Sequence, residues 1–134
     1  MMYWIGIGMG GGVCSEAEKV WALRLIREAR VDLSLAQQTK SLNEARDLLL
    51  MTLRKAELAV SHALGYSEYL DFAVDEAVDA GVGASKPSVR IILKIREAAR
   101  RLAALEHVYS KEAMLELGES ILESAIHIVE TTVN

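Results

Sequence analysis

The chain has 134 residues, 51% of them hydrophobic but only 5% aromatic, with a net charge of −4 and 25% charged side chains. That length fits one domain and buries a core without metal or disulfide staples. The charge balance excludes a global basic field for duplex nucleic acid, so any RNA contact has to use a local patch. The lone Cys14 excludes an internal disulfide and fits a reducing cytoplasm. Two Asn and two Gln beside abundant Arg and Glu match the amide-poor, charge-rich composition associated with thermophiles.

Residues 1–14 are expected to be a flexible or extended glycine-rich segment, followed by a single helical-bundle domain over 15–134. Met1 to Val13 is apolar but far shorter than a membrane span, and it lacks the basic start of a signal peptide. Gly6-x-Gly8-x-x-Gly11 matches the dinucleotide fingerprint formally, yet no βαβ unit follows it.

Ser15-x-x-Glu18 is a capping box, in which the serine hydroxyl accepts from an orphan N–H and the glutamate reaches back to the serine N–H. It opens a helix with Ala17, Trp21, Leu25, Ala29 and Leu33 as its expected buried row. Polar Gln37-Gln38-Thr39-Lys40 breaks the pattern, and a second box, Ser41-x-x-Glu44, opens a helix running to Leu64 with Gly65 as its stop. Leu42, Ala45, Leu49, Leu53, Ala56, Val60 and Ala63 step by three and four and so share one face. Ser67 is the cap of a short third helix burying Tyr69, Phe72, Ala73, Ala77 and Ala80 and ended by Gly81-Val82-Gly83. Pro87, tolerated in a first helical turn, starts a fourth helix expected to reach His107, with Val89, Ile92, Ile95, Ala99, Leu102 and Ala103 inward. Ser110 caps a fifth, from Lys111 to about Thr131, burying Met114, Leu117, Ile121, Ala125 and Ile128. Helical periods joined by short connections predict an all-α fold, an antiparallel up-down bundle of four to five helices.

Chemistry gathers in one run, Arg100-Arg101-Leu102-Ala103-Ala104-Leu105-Glu106-His107-Val108-Tyr109. At about 100° per residue, Arg100 and His107 fall within about 20° of each other on an unbroken helix, whereas Arg101 lies far round the cylinder. Guanidinium groups suit phosphate and developing negative charge, and an imidazole suits proton transfer to or from a ribose oxygen. Tyr109 supplies a hydroxyl or a stacking surface. The plainer reading is that Glu97, three and four residues before the arginines, forms surface ion pairs with them, and that His107 suits a helix C-terminus.

Other polar groupings read as structural. Glu68, Asp71, Asp75 and Asp79 make an acidic row, and Glu123, His127 and Glu130 share a stripe, but the Glu-x-x-His pairs of a di-iron bundle do not occur, so no metal or cofactor is expected. His62 sits at the boundary of the apolar stripe. Trp4 and Trp21 are expected in the core or at a subunit contact.

The Arg-x(5–6)-His run followed by x-Tyr, in the latter half of a small bundle, resembles the HEPN (higher eukaryotes and prokaryotes nucleotide-binding) domain family. So does the segment Leu53 to Gly65, an alanine-rich helix carrying a lysine and a glutamate and closed by a glycine. The likeness extends over Glu16 to Val133. It implies a homodimer whose two motifs face each other in a cleft and, in many members, a metal-independent endoribonuclease toxin. Other members are inactive partners of a small nucleotidyltransferase, and in those with the x-Tyr extension that antitoxin modifies the tyrosine with AMP. Carried onto this chain, the catalytic residues would be Arg100 or Arg101 with His107, the modifiable residue Tyr109, and the partners RNA and a nucleotidyltransferase, with no membrane. The alternative is a non-enzymatic helical-bundle oligomer acting in protein interaction or assembly.

Overall fold

The computed structural model describes residues 15–65, 75, 79, 87–104 and 110–133. Among these residues four long helices carry the fold: α1 Glu16–Gln38, α2 Leu42–Leu64, α3 Pro87–Ala103 and α4 Lys111–Val133. The chain is an all-α bundle, and its up-down order follows from which residues meet. Trp21 lies beside His62 and Asp32 beside Lys55, so α1 and α2 run antiparallel. Lys111 donates to the carbonyl of Thr39 at the α1–α2 turn. Further along, Gly118 lies against Leu49 and Leu33, so α4 runs alongside α2 and against α1. In α3, Arg96 meets Glu57 of α2, and its start faces the end of α4, which gives it the opposite direction to both. The expected third helix falls outside the described residues, apart from Asp75 and Asp79, both helical and exposed.

The capping chemistry differs between the first two helices. Ser15 makes both halves of its box: Glu18 N–H donates to the serine Oγ at 3.1 Å, and Ser15 N–H donates to the Glu18 carboxylate at 3.3 Å. Ser41 makes one half, accepting from Glu44 N–H at 3.2 Å. The Glu44 carboxylate instead accepts from the Thr39 hydroxyl at 2.6 Å, and Thr39 Oγ1 accepts from Ser41 N–H. Thr39 thus ties the three-residue turn that folds α2 back on α1. Gly65 ends α2 in the left-handed region at φ 78°, where a Cβ is penalised.

The core corrects several sequence expectations. Leu25, Ala29 and Leu33 are buried, but Ala17 and Trp21 are exposed, and the inward face of α1 is completed by Ala22, Ile26 and Ala36. A row of steps of four turns about 40° per step, so its first two members had already left the buried face. The better signal is the step of seven: Ala22, Ala29 and Ala36 on α1, and Leu49, Ala56 and Ala63 on α2, are all fully buried. Seven-residue repeats keep two helices in register along their length, and alanine lets the backbones approach.

On α2, Leu42 is half exposed at the first turn, while the other six expected residues are buried. Thr52 is fully buried because its hydroxyl donates to the Leu48 carbonyl at 2.9 Å. α3 ends at Ala103, with Ala104 in a turn, short of the expected His107; Ala103 itself is exposed. Ile91 and Ala98 face inward there with Val89, Ile92, Ile95 and Leu102, and Ala99 is half-buried. On α4, Met114, Ile121 and Ala125 are buried as expected, with Leu117 and Ile128 half-buried and Gly118, Leu122 and Val129 taking the remaining inward positions.

A polar ladder fastens the outer seam of α1 and α2. Arg24 sits over the Trp21 ring at 5.2 Å, and Trp21 stacks on His62 at 6.4 Å between centroids. Arg24 donates to Glu28, which pairs with Lys55 at 3.5 Å, and Lys55 meets the buried Asp32 at 2.8 Å. The bond to Asp32 chiefly raises the Lys55 pKa above its ordinary value, and the Arg24 hydrogen bond lowers that of Glu28. Trp21 and His62 are therefore parts of an inter-helix clasp, and Trp21, 48% exposed, is not a core residue.

Candidate functional site

The last turn of α3 presents Arg100 and Arg101 on the surface, both bonded to the carboxylate of Glu97. Glu97 accepts from Arg100 Nη2 at 2.8 Å and Nε at 3.3 Å, and from Arg101 Nε at 2.9 Å. The helix dictates this, since residues three and four apart are neighbours on its surface. The Arg100 hydrogen bonds, then those from Arg101, hold the Glu97 carboxyl down to about 2 from its ordinary 4.5. All three side chains are about half exposed, at 58%, 53% and 48%, so the pairs are screened and contribute little to stability. Their effect is to fix two guanidinium groups side by side. The ion pairing expected from the Glu97 spacing is present, while His107 and Tyr109 lie outside the described residues.

Arg96 belongs to a different function of the same helix. It donates from Nε and Nη2 to a single oxygen of Glu57 at 3.2 and 3.1 Å, clamping α3 to α2.

A second polar region opens between the first half of α3 and the second half of α4. It is a cleft of about 440 Å³ with Arg90 and Lys94 on one wall and Ser120, Glu123, Ser124 and His127 on the other. Pro87 also lines it, and Ile91 and Ile128 give it an apolar floor. The helices build it by simple periodicity. Arg90 and Lys94, Ser120 and Ser124, and Glu123 and His127 are each four residues apart, so each pair stands on one helix face.

Charge is unevenly shared between the two helices. Within Pro87–Ala103 there are five cations and one carboxylate, whereas Lys111–Val133 carries one lysine and five glutamates. Sequence reading identified His127 only as part of a Glu123–His127–Glu130 stripe and missed Arg90 and Lys94. The i, i+4 pairs were visible, but which helix would stand opposite was not. Among the described residues no three carboxylate, imidazole or thiol groups converge as metal ligands would. Nor, among those residues, is any helix long and apolar enough to cross a membrane.

The fold and these two polar regions define an all-α up-down bundle with a basic third long helix. No family model matches the chain, and no curated protein or solved structure matches it either.

Proposed function

We propose that this chain is a HEPN-like homodimeric endoribonuclease that works without metal, with Arg100, Arg101 and His107 as its catalytic residues and a small nucleotidyltransferase as its antitoxin partner. One observation carries the reading. Two exposed guanidinium groups are fixed side by side on Glu97 at the end of α3, a few residues before His107 and Tyr109 in the chain.

The chemistry follows from these groups. An imidazole removes the proton of a ribose 2′-hydroxyl, and that oxygen attacks the adjacent phosphorus. The 5′-oxygen leaves, taking a proton from the imidazolium of the second copy, to give a 2′,3′-cyclic phosphate and a 5′-hydroxyl. The charge that develops on the phosphoryl oxygens is the part a guanidinium stabilises. Tyr109, two residues beyond His107, is placed in sequence for nucleotide contact or for modification by the antitoxin.

Cleavage of a mixed RNA pool with chelator present, by wild type and by His107→Ala, tests the assignment. The expected result is cutting by wild type, with cyclic phosphate ends, reduced by at least 10²-fold in the variant. Equal cutting by both, or none by either, removes the ribonuclease reading.

A second reading, a bundle that acts in interaction or assembly, has its own supporting observation. Val20, Leu23, Val31 and Leu35 are exposed by 63%, 37%, 58% and 47% and stand along the outward face of α1 as an apolar row interrupted by Arg24 and Arg27.

A further inference from the structure

We infer that the cleft between α3 and α4, continued by Arg101, is the track along which a single-stranded RNA backbone reaches the catalytic end of α3. This rests on the ribonuclease reading and adds to it the substrate contacts Arg90, Lys94, Ser120, Ser124 and His127.

The register of α3 is the first argument. At about 100° per residue, Arg90, Lys94 and Arg101 fall within about 40° of one another. The axial distance from Arg90 to Arg101 is about 16 Å at a rise of about 1.5 Å per residue. Arg90 and Lys94 line the cleft, and Arg101 extends the same ridge to the turn at Ala104. The ridge is a row of cations one and two turns apart, a spacing that a nucleotide chain meets with successive phosphates.

The facing wall is the second argument. The glutamates of α4 share one stripe, of which Glu123 alone is among the described lining of the cleft, and the rest of that polar wall is Ser120, Ser124 and His127. Hydroxyls and an imidazole suit ribose and phosphate oxygens, and the Ile91 and Ile128 floor suits the face of a base. A cleft one helix pair wide takes a single strand, whereas double-stranded RNA is recognised across a broad, shallow groove. In a chain of net charge −4, this is the local basic patch that RNA contact requires.

The test uses the full-length His107→Ala protein, so that the probe is not consumed, and a fluorescently labelled single-stranded oligoribonucleotide of mixed sequence read by anisotropy across a salt series. Adding Arg90→Ala and Lys94→Ala should weaken binding on the order of tenfold and flatten the slope of log K against log salt by roughly 1.4, about 0.7 per lost phosphate contact. The matched pair Arg27→Ala and Arg30→Ala on α1 should leave both unchanged, and circular dichroism confirms that each variant is folded.

Equal effects from the two pairs, or no effect from the cleft pair, overturn the inference. Displacement of the probe by polyglutamate as effectively as by unlabelled RNA also overturns it, since the cleft would then be an acidic-peptide site. The two readings fail separately: a cleft-dependent RNA affinity in a protein that does not cut sinks the nuclease alone, and wild-type cutting with cleft-independent affinity sinks the track alone.

Discussion

Glu97 sets the working charge at the end of α3. Two guanidinium groups converge on its carboxylate, and the Arg100 bonds are the larger cause of its low pKa of about 2. Because the folded-state pKa is depressed below 4.5, the stabilising contribution of these pairs is present above about pH 4.5 and is lost as the pH falls through about 2. Glu97 therefore stays ionised from pH 5 to 8, and the proposed RNA cleavage should take its pH dependence in that window from an imidazole. Replacing Glu97 with Gln should leave the melting temperature nearly unchanged, because the side chains are exposed. It should also weaken binding of single-stranded RNA, because the two guanidinium groups lose the carboxylate that holds them side by side. Anisotropy titration checks this; tighter binding would mean that Glu97 attenuates the arginines rather than orienting them.

Helix by helix, ends were easier to read than faces. Ser15, Ser41, Gly65, Pro87 and Ser110 stand at or beside the helix ends, because capping is local chemistry in which the side chain and its backbone partner lie within a few residues. Gly65 supports a direct prediction. With φ at 78°, Gly65→Ala should destabilise the protein by about 1–2 kcal/mol in urea unfolding, the cost of placing a Cβ in the left-handed region. A change near zero would mean that the α2 terminus unwinds by a residue without loss. Faces proved harder because they depend on the neighbour. Trp21 reads as core by size, but it stands at the seam where His62 and Arg24 enclose its ring. At Gly118 a Cβ would come within 2.6 Å of the buried Leu49 Cδ2, so the glycine is what allows α4 to close on α2.

Across the whole molecule, α1 and α3 occupy opposite corners, each packed on both α2 and α4. The basic helix with its cleft and the apolar row of α1 are thus on different sides of the bundle. This separates the two functional readings by the position of the dimer axis. If the arginine-bearing ends of α3 meet in a shared groove, Val31→Glu together with Leu35→Glu should leave the sedimenting mass of the dimer unchanged. If the bundle assembles through its apolar row, the same pair should shift the protein to monomer, because each substitution buries an unpaired charge in the contact. Analytical ultracentrifugation at several concentrations distinguishes these outcomes.

The amino-acid sequence by itself determined the helical class, most of the helix boundaries, and the pairing of Arg100 and Arg101 with Glu97. These depend on residues close together in the chain. The tertiary structure decided what requires distant residues to meet: the seven-residue alanine seam, the Lys55–Asp32 clasp, and above all the cleft. Arg90 and Lys94 precede Ser120 and Ser124 by some thirty positions, and they face one another only because α3 and α4 pack antiparallel. Helical periodicity gives each element a face, but the face that becomes a site is fixed by the neighbouring helix.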